Sequence, residues 1–353
     1  MSVDPIPHHE LLNLRRLTKV NLKRKEKVLI IKLGYSETLV NEISRVTSLG
    51  DVLRSTVLLN HFKDAHVTWL VDEKAISLLK GNPRIARILP YDLTTVLQLK
   101  AERFDTIINL EKVAGICALA DSLIGWRRYG FRFDTESDET NAYDGSPQVL
   151  DICMNQQDKV SHGRYWEDVL FEMVGGEWRG ERPIIGYKPT SKVQFDIGFN
   201  HHVGEKWPIK AWPPEYWHEL AKLAGDKYTI SWQQGLKSLE DYIDWINSCR
   251  LLVTNDSLGL HIAHALDKKI VSFFGPTLAS EVYVKDGVKL LPDGDYDCLP
   301  CLSTVCRKQT PCMYAIRPQA VFNAIEKTLA KDRSASRSKA THDNDGVPLS
   351  PPL

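Results

Sequence analysis

The feature that most constrains this chain is an alternation of short apolar runs with segments of helical periodicity, which occurs twice. The first series begins with a strand at 28–33 and continues through strands at 66–71 and 106–110, with helices between them. A stretch rich in Gly, Pro and charge at 175–192 interrupts it, and a second series begins near residue 193. Such alternation is typical of a parallel sheet with helices on both faces. The sequence therefore predicts two doubly wound α/β domains that face each other across a cleft.

The predicted domain boundaries follow from these changes of pattern. The polar segment 132–147 is predicted to be a loop within the first domain. Residues beyond the last predicted helix are too polar and Pro-rich to pack, which indicates disorder. The predicted parts are a basic amphipathic N-terminal segment (1–26), an N-terminal domain (27–175), a linker (176–192), a C-terminal domain (193–331) and a disordered tail (332–353).

Composition excludes several classes of protein. Lys plus Arg and Asp plus Glu are both 45, which argues against nucleic-acid binding. No apolar run reaches the roughly 20 residues of a spanning helix, and the N-terminus lacks a secretory signal, so we expect a cytoplasmic protein. Seven Lys or Arg between residues 15 and 27 predict reversible contact with the anionic inner-membrane surface. A solvated helix capping the first domain is the alternative.

The segment 254–277, TNDSLGLHIAHALDKKIVSFFGPT, carries the strongest chemical signal. Asp256 and Ser257 follow one apolar run, and Gly275-Pro276-Thr277 follows the next. Ligands of open α/β sheets bind at the carboxyl ends of strands, and a helix N-terminus favours an anion. The two turns therefore predict a diphosphate site. The G-x-G-x-x-G fingerprint, the P-loop, the G-x-S-x-G elbow and the H-E-x-x-H motif are absent, which disfavours a Rossmann-type oxidoreductase.

The same segment resembles the C-terminal signature of the ADP-heptose:lipopolysaccharide heptosyltransferases, glycosyltransferase family nine. SLGDVL (48–53), VTWLVDEKAISLLKGNPRIARIL (67–89) and KWPIKAWPPEYWHELAKL (206–223) resemble further motifs of that family. The resemblance covers roughly residues 27–330 and implies a GT-B fold. It also implies inverting sugar transfer without a catalytic metal, ADP-heptose as the donor, and a hydroxyl of the lipopolysaccharide core as the acceptor.

The resemblance implies roles for individual residues. Asp51 matches the general base, and Lys210 matches the lysine that neutralises the leaving diphosphate, for which Lys206 is the competing candidate. Asp256 matches a residue at the donor sugar. Helix N-capping is the alternative for both aspartates. The other predicted donor contacts are Ser257, Gly275, Pro276 and Thr277, whereas His261 is interpreted as a core histidine.

The chain also departs from the family pattern. Gly259 is displaced by one residue, residues 35–47 are inserted, and about one βα unit is missing from the second domain, so base and ribose contacts cannot be transferred. Three alternatives stay open: another nucleotide sugar, a protein or small-molecule acceptor, and a non-catalytic scaffold that binds metal.

A cluster of four cysteines, Cys298, Cys301, Cys306 and Cys312, follows the Gly-Pro-Thr turn. Its Cys-x-x-Cys start predicts a tetrahedral structural site for zinc or iron that pins a long loop near the cleft. Disulfides and reduced thiols are the alternatives. Cys117, Cys153 and Cys249 are scattered and predicted to lie in the core.

Overall fold

The computed structural model describes residues 24–35, 46–144 and 146–342. The predicted basic helix at 11–27 and the insertion at 35–47 therefore fall largely outside the described residues and remain predictions. Within the described part of the chain, no helix combines the length and apolarity that crossing a membrane would require.

The first sheet has six strands in the order β3-β2-β1-β4-β5-β6, with β1 to β5 parallel and β6 antiparallel to β5. Alternate side chains of β1 enter different cores, because Val28 and Ile30 pack on one face and Leu29 and Ile31 on the other. The strands are β1 (Lys27–Ile31), β2 (His66–Val71), β3 (Arg87–Pro90), β4 (Arg103–Asn109), β5 (Ile124–Asp134) and β6 (Glu139–Ala142). The helices of this half are α1 (Leu49–Ser55), α2 (Ile76–Leu79), α3 (Leu93–Ala101), α4 (Ala114–Ser122), α5 (Pro147–Met154), α6 (Gln156–Ser161) and α7 (Trp166–Met173).

The second sheet has five parallel strands in the order β11-β10-β9-β7-β8. Helices α8 and α11 contribute to the core on one of its faces, and α9 and α10 pack on the other face in a core shared with the first domain. Its strands are β7 (Phe195–Asn200), β8 (Ile230–Trp232), β9 (Cys249–Asn255), β10 (Lys269–Phe273) and β11 (Val288–Leu290). Its helices are α8 (Pro214–Ala224), α9 (Leu239–Asn247), α10 (Leu258–Ala265) and α11 (Pro318–His342).

Both sheets have a topological switch point, where the connections on either side leave toward opposite faces. In the first sheet this point lies between β1, which is followed by α1 on one face, and β4, which is followed by α4 on the other. In the second it lies between β7 and β9. A switch point opens a crevice at the carboxyl ends of its strands. The residues that follow β1, β4, β7 and β9 are therefore the ones that a ligand would meet.

Two predictions of local structure are wrong. The segment 132–147, predicted to be a loop, contains the end of β5 and the strand β6. Alternating Tyr129, Phe131 and Phe133 signalled that strand, but Arg and Gly between them obscured it. Helix α11 continues to His342, so 332–342 is not an irregular tail. This stretch has no Gly or Pro, and elongating an existing helix costs far less than nucleating one.

Candidate active site

Asp51 lies in the first turn of α1 and faces the carboxyl end of β1. Ser48 is the N-cap of α1, so the capping alternative for Asp51 is wrong. Its carboxylate forms a salt bridge with Lys32, the first residue after β1. Burial is the largest single effect and would raise the pKa of Asp51, but the charge and hydrogen bond of Lys32, with the charges of Arg54 and Lys206, together lower it. Asp51 is therefore ionised, as a proton acceptor must be.

Lys32 itself is held between two carboxylates. Only 3% of this residue is exposed, and its ammonium group also lies 3.4 Å from the Glu111 carboxylate. Glu111 is fully buried and accepts hydrogen bonds of 2.7 Å from the backbone N–H groups of both Leu33 and Gly34. Burial would lower the pKa of Lys32, but Asp51 and Glu111 raise it. This charged group at the first switch point fixes the position of Asp51.

On the other side of the cleft, Asp256 follows β9 and binds two predicted site residues. Its Oδ2 atom accepts a hydrogen bond of 2.9 Å from Lys210 Nζ and one of 2.7 Å from Thr277 Oγ1. Burial is the largest single effect and acts to raise its pKa, but the charges and hydrogen bonds of Lys210, His261 and Thr277 together outweigh burial and lower the pKa to about 2. Asp256 precedes the N-cap of α10, which is Ser257, so its capping alternative is also wrong. The structure thus brings three of the predicted residues into one polar cluster.

The loop that carries Lys210 is fixed to the end of β9. Lys210 ends a single 3₁₀ turn, Pro208–Lys210, and its ammonium group lies 4.8 Å from the centre of the Trp207 ring. Trp212 then donates a backbone hydrogen bond of 2.9 Å to the Asn255 side chain. The segment 206–213 therefore holds Lys210 against Asp256 on a rigid support.

Lys206 has a different position from Lys210. Its ammonium group donates a 3.0 Å hydrogen bond to the backbone carbonyl of Val46, across the cleft. Its charge also contributes, as a smaller effect than that of Lys32, to the lowered pKa of Asp51. The two lysines that the sequence left in competition thus face different carboxylates.

The displaced glycine of the 254–277 segment has a packing role. A Cβ atom on Gly259 would lie 2.4 Å from Asn200 Nδ2 and 2.5 Å from the Tyr242 hydroxyl. Tyr242 donates a 2.6 Å hydrogen bond to Asn200 Oδ1, and Asn200 donates one of 2.9 Å to Ser257 Oγ. Gly259 therefore lets α10 approach the end of β7. The Ser257 hydroxyl is engaged in this network, so we assign its anion contact to the backbone.

The Gly275-Pro276-Thr277 turn supports the cysteine loop. A Cβ atom on Gly275 would lie 2.8 Å from the Cys312 sulfur, and Pro276 accepts a 2.8 Å backbone hydrogen bond from Leu302. Leu302 lines the same cavity as Asp51 and Asp256. The loop thus forms one wall of the cleft, as the sequence predicted.

The predicted metal site is not confirmed. Among residues 24–35, 46–144 and 146–342, no group of three or more His, Cys, Asp or Glu side chains is placed to hold a metal ion. The Cys312 sulfur packs on Gly275 and Met313 at the edge of the second core. Burial, together with the other three thiols, raises the pKa of Cys312 to about 11. The predicted ligands Cys298, Cys301, Cys306 and Cys312 share a loop but are not arranged as one site.

His261, which the sequence led us to leave out, lines the cavity between the two aspartates. Its ring packs on α1, because a Cβ atom on Gly50 would lie 3.0 Å from His261 Cδ2. Burial and the nearby Arg54 charge lower its pKa to about 3. A neutral imidazole therefore lines the cavity together with Asp51 and the Lys210–Asp256 pair. The Gly-x-His spacing of 259–261 was the signal available in the sequence.

Comparison with known proteins bears on the identity of this cleft. The sequence profile named Glycosyltransferase family 9 (heptosyltransferase) matches residues 235–310, which include Asp256 and the Gly-Pro-Thr turn. Lipopolysaccharide heptosyltransferase 1 of Campylobacter coli is 25% identical over 67% of this chain and 83% of its own length. Lipopolysaccharide heptosyltransferase 1 of Pseudomonas aeruginosa is 28% identical over 81% of this chain and 96% of its own.

The chain is therefore similar to glycosyltransferase family 9, by the profile over residues 235–310 and by relatives along most of its length. The fold agrees: Escherichia coli heptosyltransferase WaaC, solved with ADP, superposes with a TM-score of 0.58 at 17% identity, over 86% of this chain and 99% of that one. The chain accordingly has the GT-B architecture, with two Rossmann-like domains and the polar groups of both switch points facing one cavity.

Proposed function

We propose that this glycosyltransferase transfers a heptosyl group, with inversion and without a catalytic metal, from ADP-heptose to a hydroxyl of a lipopolysaccharide-core acceptor. One observation carries the proposal: Asp51 from the first switch point and Asp256, Lys210 and Thr277 from the second line one cavity. A transfer with inversion needs a base on one side of the sugar and leaving-group stabilisation on the other. The names of the relatives support the heptosyl donor and the acceptor class.

In the proposed reaction, Asp51 accepts the proton of the attacking acceptor hydroxyl. Its lowered pKa keeps it ionised at neutral pH, and the buried Lys32 fixes its orientation. A positioned base of this kind contributes about 10²–10⁴-fold to the rate. The acceptor oxygen then attacks the anomeric carbon from the Asp51 side while the bond to the diphosphate breaks.

The departing diphosphate carries negative charge, which groups of the second domain can stabilise. The Lys210 ammonium group and the N-terminus of α10 supply positive charge. The hydroxyl proton of Thr277 is donated to Asp256, so we assign its phosphate contact to the backbone N–H. Asp256 holds both Lys210 and Thr277 in place before the donor arrives, and its remaining acceptor capacity suits sugar hydroxyls. We assign Gly275 and Pro276 to the backbone of this subsite and Lys206 to the outer phosphate.

The proposal is tested by substituting Asp51. Asp51→Asn keeps the shape of the side chain but removes the acceptor of the proton, so we expect ADP-heptose binding to persist and transfer to fall by about 10²–10⁴-fold. The product is measured by mass spectrometry with heptose-deficient lipopolysaccharide core as the acceptor. Asp64→Asn, a change at an exposed position just before β2, is the matched control.

A thermal-shift screen with ADP, UDP, GDP and CMP tests the donor separately. The nucleotide of the true donor should stabilise the folded state by mass action, and we expect ADP to do so most strongly.

Turnover of Asp51→Asn within threefold of wild type would contradict the base assignment. Preference for UDP, GDP or CMP would contradict the donor assignment and favour another nucleotide sugar.

A further inference from the structure

A second charged cluster lies on the acceptor-side wall of the cavity, apart from Asp51. Its centre is Glu281, which the second domain carries in the stretch after β10, and only 9% of this residue is exposed. The Glu281 Oε1 atom lies 3.3 Å from His162 Nε2 and 3.8 Å from Lys159 Nζ. Lys159 belongs to α6 and His162 is its C-cap, so a carboxylate from one domain occupies a basic recess of the other.

The backbone of Glu281 is held independently of its side chain. Its carbonyl oxygen accepts a 3.0 Å hydrogen bond from the backbone N–H of Trp166 and a second hydrogen bond from the guanidinium group of Arg54. Arg54 is also paired with Glu167 at 3.2 Å. Removing the Glu281 charge therefore need not detach the segment that carries it.

The Glu281 carboxylate is a charged ligand of this recess. Burial would raise its pKa, but the hydrogen bond with His162 and the charges of Lys159 and Arg54 lower it. Lys112 and Lys159 line the same cavity, as does Glu281 itself. Lys159 and Glu281 are thus open to whatever molecule occupies the cleft, whereas only 8% of the His162 side chain is exposed, and the recess already binds one oxyanion.

We propose that Lys159 and His162 form a subsite for a phosphate or carboxylate group of the acceptor, and that the Glu281 carboxylate occupies this subsite until that group displaces it. The inference rests on the proposed function, because it makes this wall the acceptor side. It adds an internal carboxylate that competes with the anionic group of the acceptor.

The geometry favours an exchangeable Glu281 contact over a permanent salt bridge between the domains. The Lys159 contact, at 3.8 Å, is close to the limit for an ion pair, and 22% of the Lys159 side chain is exposed. The domains remain joined by the two hydrogen bonds to the Glu281 carbonyl when the carboxylate leaves. Substitution of one anion by another also leaves no buried cation uncompensated, which would otherwise be costly.

Binding of inorganic phosphate tests the subsite. The titration is followed by calorimetry in the presence of saturating ADP, which blocks the diphosphate subsite. An internal competitor that fills a site nine-tenths of the time weakens apparent affinity about tenfold. We therefore expect Glu281→Gln to bind phosphate about tenfold more tightly than wild type, and Glu281→Gln/Lys159→Met to lose that gain. Lys100→Met, an exposed change on α3, is the matched control and should leave the titration unchanged.

Equal phosphate affinity in wild type and Glu281→Gln, or a gain that survives Lys159→Met, would overturn the proposal and leave a static contact between domains. If Glu281→Gln fails to fold, the single variant Lys159→Met decides the question. It must bind phosphate more weakly than the wild-type protein does. Because the titration requires no sugar transfer, it is independent of the donor assignment. Failure of ADP-heptose as a donor, with the phosphate effects intact, would reject the proposed function and keep the anion subsite.

Discussion

Removing Lys32 should damage the protein more than removing its partner Asp51. In Lys32→Met, the Asp51 and Glu111 carboxylates lose the cation between them, and only 4% of the Lys32 side chain is exposed. Removing one member of a buried pair costs about 3–5 kcal/mol because an uncompensated charge is left behind. Glu111 keeps two backbone hydrogen bonds and 17% of the Asp51 side chain is exposed, so we expect about 3 kcal/mol.

Asp51→Asn leaves Lys32 paired with Glu111, and its cost should be about 1–2 kcal/mol. In the double variant, the amide at position 51 removes one of the two stranded charges. The double variant should therefore be more stable than the sum of the single changes predicts, by about 1 kcal/mol or more. Urea unfolding at pH 7, followed by circular dichroism and by tryptophan fluorescence, gives the three free energies of unfolding.

The pH dependence provides a second check with a defined sign. The folded-state pKa of Asp51 is lowered, so its contribution is complete above the ordinary carboxyl pKa of about 3.9 and is lost as pH falls through the folded-state value. The difference between wild type and Lys32→Met should therefore be largest near neutral pH and shrink below about pH 4. Additive single-variant effects at pH 7, or a difference that grows in acid, would refute the role given to Lys32.

Three further outcomes follow from the structure. Lys210→Ala should weaken ADP binding by at least about tenfold and adenosine binding little, since it removes a charge from the proposed diphosphate subsite. Equal losses of ADP and adenosine affinity would contradict this. Sugar transfer by the wild-type protein should persist in excess EDTA. Gly259→Ala should cost about 1–3 kcal/mol in urea unfolding because its Cβ would meet Asn200 and Tyr242, whereas Gly115→Ala, with nothing within 4 Å, should cost nothing. Elemental analysis of tag-free protein tests the cysteine loop: one full equivalent of zinc plus iron would show that the four thiols hold an ion, and less than about 0.2 equivalents would remove the predicted site.

The sequence predicted the two α/β units because their strands are buried on both faces and read as continuous apolar runs. It also predicted Asp51, Lys210, Asp256 and Thr277, which the structure places around one cavity. Asp256 directly follows β9 and Thr277 lies four residues after β10, whereas Asp51 and Lys210 lie further from β1 and β7 and were predicted from their short motifs. The hairpin of β5 and β6 was not predicted because Arg and Gly interrupt its alternation of apolar and polar residues. Both strands are also partly exposed along much of their length.

The residues that support the site, Glu111 and Glu281, could not be predicted from the sequence for a different reason. Glu111 contacts Lys32 across 79 positions, and Glu281 contacts Lys159 across 122. No local pattern encodes such a pair, because each partner by itself reads as an ordinary surface charge. Lys32 did offer a signal, since a lysine that directly continues the buried run Val28 to Ile31 must either turn to solvent or find a buried partner.

The topology explains why the polar groups proposed as base and phosphate subsite meet in this cleft. At each switch point, the two neighbouring connections leave on opposite faces, so the polar groups after β1 and β4, and after β7 and β9, are not covered by the sheet's own helices. The first domain uses its crevice to bury a cation between two carboxylates, which leaves Asp51 ionised and aimed outward. The second uses its crevice to pair a carboxylate with a cation, which leaves Lys210 beside a helix N-terminus. Each crevice thus holds a buried ion pair, and the proposed proton acceptor lies opposite the proposed anion site, with the Lys206 and Glu281 contacts joining the two domains.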